Sequence, residues 1–239
     1  MKYALLLLFL SFCLAYSSQN ITSNEVLENA INYHDPSRNW ETFSDEITVI
    51  LTTPNTPKRT SVISIDLPAE YFSVEATKDT ATTRYILDKG KCEMRYNGKV
   101  LDRLAAEEKR MDCDRATLYK NYYSYLYGLP MKLKDAGTNL SNTVLKRPFK
   151  GKDYLVLKVT YDDAVGRDVW YFYFNPKTYA MEIYQFFKTD TIGQEKPDSG
   201  EYVILSEEAL VNGIKMPKVR AWYYNKDDTY LGTDSLVEN

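Results

Sequence analysis

The feature that most limits the fold is a change of period at Trp40. From there apolar and polar residues alternate through "WETFSDEITVILTT" and "KRTSVISIDLP", the mark of half-buried strands. "AEYFSVEAT", "TRYILDKG" and "CEMRYNGKVL" continue the series, and Lys89-Gly90 and Asn97-Gly98 are hairpin-turn dipeptides. After "DAGTNLSNT" six more runs follow, from "KDYLVLKVTYD" to "TYLGTDSLVE", separated by turn clusters such as "DDAVG", "NPKT" and "EKPDSG". The series predicts about eleven strands in an antiparallel meander. Sheets of that size curl, and a curled sheet has a concave face that is either filled or hollow. "VWYFYF", residues 169–174, is apolar on both faces, so a layer is expected on each side of that strand.

Two stretches break the pattern. Thr22-Ser23-Asn24-Glu25 is a capping box. Val26, Leu27, Ala30, Ile31 and His34 follow at helical spacing, until Asp35 before Pro36 stops the helix. Residues 104–127 read as a mid-chain helix, with Leu118, Tyr122, Tyr125 and Leu126 as its apolar stripe. Gly128 is expected as a left-handed stop, and Pro130 blocks resumption. The mid-chain helix is the natural filler of the hollow, so residues 125–133, "YLYGLPMKL", should cap it. The fold class expected is mainly β (α+β): a strongly curved antiparallel sheet, with the N-terminal and mid-chain helices lidding its concave face.

The chain opens with an export signal: Lys2, an apolar run over residues 4–15, and a cleavage site after Ser17 in Ala15-Tyr16-Ser17. The alternative is a lipoprotein signal with Cys13 as the lipidated residue, which Leu10 and Ser11 suit and Phe12 does not. Residues 18–239 are expected to form one domain. Removing Lys2 leaves 29 of the 30 basic residues against 33 acidic, a net charge of −4. That balance carries no electrostatic footprint for nucleic acid. Cys92 and Cys113 remain after cleavage; an even count in an exported chain points to a disulfide. The other reading is a metal or redox pair, which the spacing does not favour.

Chemistry is sparse. His34 is the one histidine; it would serve either as a general base beside Asp35 or as a structural residue closing the first helix. No nucleophile elbow, phosphate loop or zinc-protease motif occurs. Asp162-Asp163 and Asp227-Asp228 read as turn residues rather than calcium ligands. Asn20 and Asn139 match glycosylation acceptors. Neither a cofactor nor a metal site is expected. The 21 tyrosines stand out. On the concave side Phe172, Phe174, Tyr184, Phe186 and Phe187 join Leu118, Tyr122, Tyr123, Tyr125, Leu126 and Tyr127 as candidate lining for an amphipathic ligand. Equally, such tyrosines fill a small core.

The signal, "NYHDPSRNW", the cysteine pair, "YLYGLPMKLKDAGT", "WYFYFNPKTYAM" and "YLGTDSL" together resemble an uncharacterised family of exported bacterial envelope proteins. That family is similar in fold to the periplasmic lipoprotein-sorting carriers (LolA/LolB-like). The resemblance implies an unclosed β-barrel and a periplasmic or envelope location. It further implies a non-enzymatic, monomeric carrier whose hollow takes a lipid or lipoprotein acyl chain. The alternatives are an envelope module with a fully packed core that binds a protein partner, and a hydrolase using His34.

Overall fold

The structure is a computed structural model and describes residues 21–237. The proposed signal segment and Cys13 lie outside them. The capping box forms: Thr22 accepts from the Glu25 amide, the Glu25 carboxylate accepts from the Thr22 amide, and α1 (Ser23–His34) follows. Its apolar stripe, Val26, Leu27, Ala30 and Ile31, is buried.

Asp35 ends α1, and its two carboxylate oxygens accept the amides of Asn39 at 2.8 Å and Trp40 at 2.9 Å. A short 3-10 turn (Asn39–Thr42) then leads into β1 (Ser44–Thr53). A meander continues through β2 (Thr56–Asp66), β3 (Tyr71–Lys78), β4 (Ala81–Asp88), β5 (Lys91–Tyr96) and β6 (Lys99–Val100). Two helices follow, α2 (Arg103–Glu108) and α3 (Cys113–Tyr127), with a second 3-10 turn over Met131–Lys134. The chain returns as β7 (Thr138–Leu140), β8 (Leu145–Phe149), β9 (Lys152–Tyr161), β10 (Val169–Phe174) and β11 (Met181–Phe187). It closes with β12 (Glu201–Val211), β13 (Ile214–Tyr224) and β14 (Tyr230–Val237).

All fourteen strands form one antiparallel sheet in the order β6-β5-β4-β3-β2-β1-β14-β13-β12-β11-β10-β9-β7, with β8 also beside β9. The last strand joins the two meanders by pairing with β1. The sheet does not close, because β6 and β7 are its unpaired ends. Both are short, and β8 carries Lys146, Arg147 and Pro148, devices that discourage edge-to-edge pairing.

Cross-strand rows define the inner face, since directly paired residues point to the same side. Ile47, Ile63, Val74 and Tyr85 form one such row. In the other half Leu157, Phe172, Tyr184, Val203 and Trp222 form another. The opposite face of β9–β11 holds a second cluster around Tyr154, Tyr171, Tyr173 and Ile183. β10 is therefore covered on both sides, as its aromatic run predicts.

Three details differ from the sequence reading. The strands number fourteen rather than about eleven, because β6, β7 and β8 are short edge pieces. The mid-chain helix is two helices, parted where Arg110 adopts a left-handed φ of 55° and Asp112 caps the next start. Gly128 is not a left-handed stop; its φ is −89°. Its lack of a side chain serves a close approach, since a Cβ there would sit 2.3 Å from the Trp40 ring. Gly128→Ala is therefore expected to cost about 1–3 kcal/mol through overpacking of the buried indole. Urea unfolding of the variant, with Trp40→Phe as a partial rescue, measures it.

Candidate functional site

Helix α3 roofs the inner face. Its N-terminus is fixed by Asp112, which accepts the Arg115 amide at 2.6 Å, and by the Cys92–Cys113 disulfide to β5. That bridge sets the rotation of the helix. At about 100° per residue, Ala116, Tyr123 and Tyr127 share the Cys113 side, and all three are buried. Tyr119 packs on Tyr85 at 5.4 Å between ring centres, and Tyr123 stacks over Phe72 at 6.5 Å.

The C-terminal end of α3 meets a fully buried arginine. Arg220 on β13 is 1% exposed. It donates to the Pro217 carbonyl at 3.0 Å and the Leu126 carbonyl at 3.5 Å, and its guanidinium lies 3.9 Å from the centre of the Tyr127 ring. Its Nε, and the hydroxyl of Tyr184, have no hydrogen-bond partner among the described residues. Burial pushes the Tyr184 hydroxyl far above its ordinary value. Asp234, paired across the strands with Arg220, is also raised by burial, which outweighs the arginine's opposing pull. The Trp222 indole donates to that carboxylate at 3.2 Å.

The sequence-selected lining residues divide. Leu126, Phe172, Phe174 and Tyr184 are buried in the inner cluster, the last three completely. Tyr125 and Phe186 are half-buried. Tyr125 packs against Trp170 at 5.7 Å and shares a short hydroxyl–hydroxyl hydrogen bond with Tyr161. Trp170 also stacks on Phe186 at 4.9 Å. Leu118, 64% exposed, does not line the hollow, because five residues past Cys113 it has turned to the outer side. Tyr122 is 41% exposed, although burial of its hydroxyl end near Asp234 and Tyr184 raises that group well above an ordinary phenol. Sequence reasoning missed Trp170 and Trp222, which strand parity with Phe172 and Arg220 places on the inner face. Tyr123 and Tyr127, also selected from the sequence, are buried beneath α3, where the helical spacing from Cys113 places them. Phe187 instead lies on the opposite face of the sheet, against Tyr171 at 6.0 Å, because it is one residue out of step with Phe186.

Two clefts flank α3. One, of about 200 Å³, lies between the helix and β2–β4, walled by Val74, Tyr85, Tyr119 and Tyr123, with Arg59 and Lys78 at its rim. The other, of about 350 Å³, lies toward Ile65, Phe72, Leu87 and Thr117 and includes Asp66, Glu70 and Lys120. The Tyr123–Phe72 stack stands between them.

His34 is structural. The Met181 amide donates to its Nε2 at 2.9 Å, so Nδ1 carries the proton and donates to the Lys215 carbonyl at 2.8 Å. Burial lowers its pKa. The paired aspartates are turn residues. Asp162 accepts from the Asn139 side chain and Asp227 from the Thr229 amide, while Asp228 holds Lys150 and Tyr202. No cluster of three potential metal ligands occurs among the described residues.

A helix-roofed, unclosed antiparallel half-barrel is the LolA-like fold. A crystal structure of a LolA superfamily protein from Nitrosomonas europaea matches with a TM-score of 0.52 at 10% identity, over 91% of this chain and 92% of that one. A DUF1329 family protein from Desulfovibrio piger aligns at a TM-score of 0.47 and 7% identity, over 90% of this chain and 91% of that one. At these identities the first likeness is one of fold. The chain belongs to a family of unknown function, DUF6503, whose model matches residues 2–239. A search of curated proteins returns no match. No helix among the described residues is long and apolar enough to cross a membrane.

Proposed function

We propose that this protein is a non-enzymatic carrier of the cell envelope that holds a lipid or lipoprotein acyl chain in the hollow under α3. The carrying observation is the construction of the roof. One helix, pinned at its first residue by a disulfide, lies on a curved apolar face with a cleft along each side. Lifting α3 would move Tyr123 off Phe72 and merge the clefts into one channel. The fold shared with a LolA superfamily protein supports this reading. Each methylene buried contributes about 0.8 kcal/mol, so a chain of about a dozen carbons is held without a covalent anchor. In this reading residues 1–17 are an export signal, residues 18–239 work as one domain, and the protein acts as a monomer in the periplasm. Both ring nitrogens of His34 are engaged, which argues against the hydrolase alternative.

Complete burial of Phe172, Phe174 and Tyr184 favours the second reading, a packed module that binds an envelope protein. The short, charged strand ends argue against partnering through the sheet edge. Uptake of a fluorescent fatty acid by delipidated protein, with lipid found by native mass spectrometry after detergent-free purification, is the outcome expected of a carrier. A folded protein that shows neither, and that co-purifies with a protein partner, would establish the packed module instead.

A further inference from the structure

We infer that the cleft between α3 and β2–β4 is an anion-headed site, taking the carboxylate or phosphate of a single-chain amphiphile on Arg59 and Lys78. This rests on the carrier reading for the chain and adds the class of ligand.

The first observation is a like-charge pair. Arg59 and Lys78 are directly opposite each other on β2 and β3, an arrangement that destabilises a sheet unless an anion lies between them. Among the described residues neither makes an ion pair, and the buried Nε of Arg59 has no hydrogen-bond partner. The second is the placement of the acids. Glu75 points to the other face, where it pairs with Arg84 at 3.8 Å. No acid lines this cleft. Asp234 shares the row of Arg59 two strands away, through Leu51, and feels the Arg59 charge, but it makes no ion pair with it and stands directly across from Arg220, whose pull on it is the larger. The third is shape. Ala76, Ala81 and Thr83 are small and leave the floor open where Tyr85 and Val74 close it further in. About 200 Å³ is below the range usual for preformed small-molecule pockets, roughly 300–1,000 Å³, and suits one chain rather than several. The cleft beyond the Tyr123–Phe72 stack sets two acids, Asp66 and Glu70, against one lysine, Lys120, whereas the Arg59 end has two cations and no acid, so the head belongs at the Arg59 end.

Calorimetric titration of the delipidated chain with dodecanoate, dodecyl phosphate, dodecanol and inorganic phosphate tests the assignment. Both anionic amphiphiles are expected to bind about tenfold or more tightly than dodecanol at low salt, as a charge-assisted contact implies. Their ratio tells carboxylate from phosphate. Arg59→Gln should reduce both to the dodecanol level and leave dodecanol unchanged, with Lys78→Gln acting in the same direction but less. Ala76→Phe, filling the floor while sparing both charges, should weaken all three. Dodecanol binding as tightly as the anions, or Arg59→Gln keeping the preference, would overturn the head assignment while leaving the carrier reading intact. Inorganic phosphate binding as tightly as dodecyl phosphate would replace the amphiphile with a free anion. No binding of any chain would overturn both proposals.

Discussion

His34→Ala is expected to destabilise the protein by about 3 kcal/mol or more. The side chain is 2% exposed and joins two distant parts of the chain, accepting from the Met181 amide and donating to the Lys215 carbonyl. Removing it leaves both backbone groups without that partner, at roughly 1–3 kcal/mol each, in addition to the cavity. The same residue makes stability depend on pH. Burial lowers its pKa in the folded state, against about 6.5 in the unfolded chain. The unfolded state therefore binds the proton first. The stabilisation from neutral His34 is complete above about pH 6.5 and is lost as pH falls below that value toward the lowered folded pKa. Urea unfolding between pH 5 and pH 7.5 should show wild-type stability falling on acidification, with a smaller fall in His34→Gln. Equal slopes in the two proteins would show that His34 does not titrate with unfolding.

Removing the disulfide is the second large effect. The bridge joins residues 21 apart in sequence, and a loop of that length contributes about 3 kcal/mol through the unfolded state. For a chain of this size that is a fall of roughly 6–12 °C in Tm, expected for Cys92→Ser/Cys113→Ser and for reductant added to wild type. Because the bridge also holds the first turn of α3, amide exchange over residues 113–120 should accelerate more than exchange in β9–β13. A Tm unchanged by reductant would contradict this account of how the roof is held.

Much of the architecture is legible locally. The capping box at Thr22 and Glu25, the alternation in β1–β5, the two-faced aromatic run of β10 and the cysteine pair each point to the observed structure, because in each case local preference and tertiary demand agree. The roof is less legible. Tyrosines at 119, 122, 123, 125 and 127 surround α3, so apolar periodicity alone admits more than one inward face. The selecting contact is long-range, Cys113 to Cys92, and it turns Leu118 outward. Gly128 departs from a left-handed stop for a similar reason, since the constraint on it comes from Trp40, far away in sequence. Arg220 gives no local warning at all: it sits between Val219 and Ala221 with Lys218 two residues before it, and only the fold places the end of α3 on top of it. Of the short strands, β6 lies inside the run "CEMRYNGKVL" beyond its Asn97-Gly98 turn, β7 is three residues within the turn-like "DAGTNLSNT", and in β8 Pro148 with Lys146 and Arg147 suppresses a strand signal while suiting an edge.

The central claim is that an apolar chain enters beneath α3. Amide chemical-shift mapping of delipidated, isotope-labelled protein titrated with dodecanoate tests it most directly. The account predicts saturable shifts concentrated in β2–β4 and along α3, including Tyr119, Tyr123 and Arg59. Shifts absent at saturating ligand, or scattered over the outer face around Tyr154 and Tyr171, would contradict it.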